Sequence, residues 1–153
     1  MSIVALTTAK AHLRLESEYP DEQVQGKLDA AERLAAEFLN RRIYQNDAAL
    51  TAAIATVPDA LVAAGAAYRA ALTAAEAIDD CVAERAAKDY ALRAYRDAQT
   101  LACETYAGIV INQQIEAAIL LTLGHLFENR QGSQQLPDDA VAMLFYFRVG
   151  LGA

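Results

Sequence analysis

Pro58-Asp59-Ala60-Leu61-Val62-Ala63-Ala64-Gly65-Ala66-Ala67-Tyr68-Arg69-Ala70-Ala71-Leu72-Thr73-Ala74-Ala75-Glu76-Ala77-Ile78-Asp79-Asp80-Cys81-Val82 opens a stretch that reaches Tyr106 without another proline and with Gly65 as its one glycine. Leu61, Ala64, Tyr68, Ala71, Ala75, Ile78 and Val82 recur at steps of three and four. That spacing predicts the seam of a helix packed on another helix, with alanines allowing close approach. A second seam is expected at Ala87, Tyr90, Ala94, Ala98 and Leu101. One unbroken helix over 59–106 would be about 70 Å long, more than a small domain can pack at both ends. Asp79-Asp80 is the most polar point between the seams, and Asp caps helices well. The stretch therefore reads as a hairpin with arms at 59–78 and 81–106; a single long helix is the alternative.

The composition agrees. Of 153 residues 55% are hydrophobic, and 35 are alanine. The remaining large apolar residues fill one modest core. The chain is too apolar and too weakly charged for disorder, and seven glycines and three prolines are too few for a many-stranded sandwich or barrel. No unbroken apolar run reaches the ~18 residues of a membrane span, and Met1 to Leu6 lacks the basic start of a signal peptide. The fold class expected is all-α: a small helical bundle, read as a single domain over 1–153, with an inserted Ala-rich helical hairpin.

The flanks supply the bundle. Residues 1–6 read as an extended arm, with Thr7 and Thr8 capping a short helix over 8–14. Pro20, Asp21 and Glu22 open a second helix, where the macrodipole favours negative charge. Val24, Leu28, Ala31, Leu34, Ala35 and Phe38 form its apolar face, and Arg41 and Arg42 are expected in its last turn. A small helix over 47–55 precedes Pro58. Ile109 to Ile111 form a brief extended run into Asn112, an N-cap for a central helix over 113–130 with Ile115, Ile119, Leu123 and Leu126 in the core. Pro137, Asp138 and Asp139 begin a last short helix, in which Val141, Leu144 and Phe145 can face inwards.

No catalytic constellation stands out. His12 and His125 lie in different elements, and the residues three before them are Ala9 and Thr122, so the Glu-x-x-His pairs of a bundle metal site are absent. His125 with Glu128 reads first as a hydrogen-bonded helix histidine and second as a pH-sensitive pair. Cys81 and Cys103 fall in no CxxC and read as reduced, buried residues. Asp79-Asp80 and Asp138-Asp139 read as helix caps before paired catalytic carboxylates. There is no phosphate-binding glycine loop. Tyr68, Tyr90, Tyr95 and Tyr106 read as packing anchors among alanines before a base-stacking platform. The formal charge of −7 argues against tight DNA binding through phosphates. The chain reads as a structural or interaction module, not an enzyme, with no cofactor and no metal.

Both ends carry a more specific pattern. Leu6-Thr7-Thr8-Ala9-Lys10-Ala11-His12-Leu13-Arg14-Leu15 is followed by Asp21 and by a helix ending Phe38-Leu39-Asn40-Arg41-Arg42. Ile115 to Leu121 leads into Gly124-His125-Leu126-Phe127-Glu128-Asn129-Arg130, a polar loop, Leu136-Pro137, then Val141, Leu144, Tyr146, Arg148 and Val149. In order and spacing these segments resemble the head–tail connector family of tailed phages, also described as head-completion adaptor or phage DNA-packaging proteins. The resemblance covers 3–44 and 109–149 as a connector-like core; the Ala-rich insertion, 45–108, departs from it.

That resemblance implies a subunit of a homo-oligomeric ring, typically a dodecamer in the virion. Such a ring docks on the portal protein, extends the DNA channel and receives a downstream head-completion or tail protein. DNA would pass without specific binding, since an acidic channel repels it. No membrane is involved: the protein would belong to the virion head–tail junction, and to the host cytoplasm during assembly. Glu128 and Arg130, at the family's helix end, and Tyr146 and Arg148, near the tail, are the candidate subunit or portal interface; ordinary solvated ends are the alternative for these positions. The competing functional readings are a cytoplasmic helical oligomeric adaptor or regulator outside any virion, and a small helical enzyme or metal protein.

Overall fold

Asn40 sets the end of the second helix. In the structure, a computed structural model that describes residues 2–16, 18–129 and 135–150, α1 spans Leu6–His12 and α2 spans Asp21–Leu39. Asn40 takes a left-handed conformation with φ 53°, which Asn tolerates better than most residues. Its N–H and that of Arg41 return to the carbonyls of Glu37 and Ala36. Arg41 and Arg42 therefore fall outside the helix, not in its last turn. The chain then extends into β1 (Ile43–Tyr44).

The chain divides into two compact units, 1–50 with 107–153, and 51–106. In the first, β1 pairs in parallel with β2 (Ile109–Val110), Ile43 opposite Ile109 and Tyr44 opposite Val110. This ladder brings together the points where the chain leaves and re-enters the unit. The short partner at 43–44 carries too few residues to register in sequence periodicity.

α5 (Gln113–Glu128) lies against α2, and α6 (Asp138–Leu144) lies against α5. The core joins Val24, Leu28, Ala35 and Leu39 of α2 to Ile115, Ile119 and Leu123 of α5, with Leu144 of α6; all are fully buried. Leu126 is only partly buried. Asn112 caps α5 as expected: its Oδ1 accepts the N–H groups of Gln114 and Ile115 at 3.0 and 2.9 Å.

Several expectations change at the helix ends. α1 begins at Leu6, so Thr7 and Thr8 lie inside it and make no cap. Asp138 and Asp139 stand in the first turn of α6 and make no capping bond; their carboxylates are placed for the helix dipole alone. Phe145 lies in a 3₁₀ turn (Phe145–Phe147) and faces outwards, while Ala140 and Leu144 face in.

The second unit is a helical hairpin, the organisation expected in place of one long helix. Its arms belong to α3 (Asp47–Glu76) and α4 (Cys81–Tyr106). Asp80 caps α4, its Oδ1 accepting from Val82 and Ala83 at 2.9 and 2.7 Å. The separate helix over 47–55 is not present. α3 runs through Pro58, which has no N–H for the carbonyl of Ile54. Pro58 is exposed, and the buried Val57 beside it keeps the inward stripe continuous.

The first seam stands except at Val82, which is 72% exposed. The second stands only in part: Ala87 and Ala98 are half-buried, but the stripe runs on through the buried Ala91, Ala102 and Thr105, while Tyr90, Ala94 and Leu101 are exposed. Alanine recurs at both phases of α4, so spacing alone does not choose between them. The tyrosines choose: Tyr68 and Tyr95 stack with centroids 5.3 Å apart and planes 15° apart. The arms also stand wider than alanine seams allow, their backbones coming within 8 Å of each other at almost no point. Tyr90 and Tyr106 are exposed and are not buried packing anchors.

Candidate subunit interface

Arg41, freed from α2 by the turn at Asn40, is the hub of the first unit. Its Nε–H donates to the carbonyl of Ala107, its Nη2–H to that of Gly108 at 3.2 Å, and its Nη1–H to that of Phe147 at 3.1 Å. One planar guanidinium thus ties the end of α2 to the strand entering α5 and to the C-terminal segment, a use for which its fork of donors suits Arg over Lys. Burial pushes its pKa down from the ordinary Arg value, and it remains a cation at any working pH.

The C-terminal segment is fastened beside it. The N–H of Val149 donates to Leu39 at 3.1 Å, and Asn40 Nδ2 donates to the carbonyl of Val149 at 3.2 Å. Gly150 takes φ 74° next to Asn40. The Arg148 guanidinium lies over the Phe38 ring at 5.0 Å, and its Nε is buried without a hydrogen-bond partner among the described residues. Arg148 therefore takes part in the chain's own packing.

Tyr146 has the opposite surroundings. It is 85% exposed, next to Phe145 at 49%, and the two rings meet edge to face with centroids 6.1 Å apart. The aromatic pair projects from the turn that follows α6, whose Leu144 is fully buried. Glu128 is exposed at the end of α5. Arg130 lies outside the described residues.

Glu32 was not singled out by its sequence. It is 8% exposed on the apolar face of α2, and its Oε1 accepts from Ser2 Oγ, the Ile3 N–H and the Val4 N–H, each at 2.8 Å. A carboxylate at four residues from Leu28, in line with the buried stripe, was the available signal. It fixes the N-terminal arm, whose Val4 is buried.

The remaining polar groups are dispersed. His125 Nδ1 pairs with Asn129 Nδ2 at 3.2 Å, so its hydrogen-bond partner is Asn129 and not Glu128. Cys81 and Cys103 are exposed free thiols, against the expectation of burial: Cys81 sits at the hairpin tip, and Cys103 follows the buried Ala102 onto the outer side. Among the described residues no group of three His, Cys, Asp or Glu side chains is placed to hold a metal. Tyr68, Tyr90 and Tyr95 with Ala64, Ala71 and Ala91 line a shallow apolar groove of about 250 Å³ between the arms. α3 is long and apolar enough to cross a membrane by length and composition, although Pro58, Asp59, Gly65 and Arg69 interrupt its apolar runs.

No family model, no curated protein and no solved structure matches this chain.

Proposed function

We propose that this chain is a ring-forming head–tail connector subunit that docks on a phage portal, extends the DNA channel and joins the capsid to the tail. One observation carries the reading. The two segments that resemble connectors, separated by the Ala-rich residues, pack as one unit around a shared core. The order of motifs in the sequence therefore belongs to one physical body.

The exposed aromatic pair is the contact surface in this reading. Large rings in water cost free energy that burial on another subunit recovers, and Tyr is favoured at such contacts. Tyr146, with Phe145 beside it and Glu128 at the end of α5, makes the interface to the portal or to a neighbouring subunit. The ring would be a dodecamer in the virion, and its other side would receive the next head-completion or tail protein. The charge of −7 lets DNA slide through the channel without binding.

The test is co-sedimentation of the purified chain with the portal protein of the same phage. The chain is expected to pellet with portal, and Tyr146→Ala to lose at least tenfold in binding while keeping the wild-type melting temperature. A chain that stays in the supernatant with portal present contradicts the proposal.

A further inference from the structure

Among the described residues α3 leaves one face without a partner, and its charges say what fits there. Steps of four and three residues along the outer side, opposite the seam that meets α4, give Ala55, Asp59, Val62, Ala66, Arg69 and Thr73, all exposed. Val62 is 71% exposed. Between Ala48 and Ala75 the helix carries only two charges, Asp59 and Arg69. Neither belongs to an ion pair among the described residues.

The two charges are placed symmetrically. Asp59 and Arg69 stand five positions either side of Ala64, and Val62 and Ala66 stand two either side. A second copy of α3 laid antiparallel and centred on Ala64 therefore sets Asp59 against the partner subunit's Arg69, twice. Each Val62 meets a small Ala66 in the same register. A parallel pairing would set Asp59 against Asp59. A lipid surface would take both charges into hydrocarbon unpaired. We propose that two copies of this chain pair antiparallel through the outer face of α3, held in register by the two Asp59–Arg69 contacts. The pairing follows twofold symmetry, in which the same patch serves both subunits, and does not rest on the connector reading. Its exposed ion pairs make it weak and salt-sensitive.

Sedimentation equilibrium of the full chain from about 5 to 500 μM tests it, an interval chosen to span weak association. The mass should rise from 16.5 kDa towards twice that value, and less so at high salt. Asp59→Arg and Arg69→Asp, both at exposed positions, should each weaken dimerisation at least tenfold, because each sets like charges together. Asp59→Arg combined with Arg69→Asp should restore it. If the chain also forms rings, the same loss and recovery appears in the doubling of the ring mass. A wild type that never doubles, single variants that pair as well as wild type, or a combined variant that fails to recover would each overturn the proposal. So would a chain that stays unpaired and floats with phosphatidylcholine–phosphatidylglycerol vesicles.

Discussion

Arg41 donates through Nη2–H to the carbonyl of Gly108 at 3.2 Å, across 67 positions of sequence. The bond lies where the chain returns from the Ala-rich hairpin, beside the parallel pair Ile43–Ile109. One side chain and a two-residue ladder thus close the first unit over an insertion of about 60 residues. Replacing Arg41 with Ala orphans three carbonyls and should cost about 3 kcal/mol in urea denaturation, at roughly 1 kcal/mol per lost partner. Arg41→Lys should recover only a part, because an ammonium cannot reproduce the fork. A wild-type midpoint for Arg41→Ala would show that the hub contributes nothing.

Glu32 should hold the N-terminal arm. Its single oxygen Oε1 takes three donors from Ser2, Ile3 and Val4. Glu32→Ala should cost about 2 kcal/mol, the scale of a buried donor set losing a charged acceptor. Amide exchange at Ile3 and Val4 should accelerate while that at Ile119 changes only with global stability. Equal protection of the arm in the variant would contradict this role.

Ile119, fully buried on the central helix α5, which packs on both α2 and α6, should not tolerate a charge. Ile119→Asp buries an unpaired carboxylate, and the loss should exceed about 4 kcal/mol and abolish cooperative melting. Ile119→Val should cost about 1 kcal/mol. An unchanged melting temperature in Ile119→Asp would misplace the core.

Both thiols should react with a disulfide reagent in the folded protein. Cys81 and Cys103 are exposed on α4, and exposure is the condition for access. Two equivalents should titrate without denaturant, at rates close to those of a free thiol. Protection of either would contradict the exposure of that position.

The sequence carried the helices wherever bulky residues fixed a phase. Ile115, Ile119 and Leu123 identified the central helix, and Asp80 identified the turn of the hairpin. It failed where alanine was the signal. On α4 every choice of stripe finds alanines, so only the stacking of Tyr95 on Tyr68 set the phase, and that is a tertiary contact. It failed again at chain ends, since a cap depends on one backbone angle: Asn40 in the left-handed region moved Arg41 from a helix dipole to a hub. Of the candidate interface residues, Tyr146 and Glu128 are exposed and Arg148 is packed on Phe38. Such a difference between neighbours in sequence depends on how the last turn folds back onto α2.

Electron microscopy of the purified chain mixed with the portal protein of the same phage tests the central claim most directly. The account predicts a second ring stacked coaxially on the portal, and its loss with Tyr146→Ala. Bare portals beside free chain would contradict it.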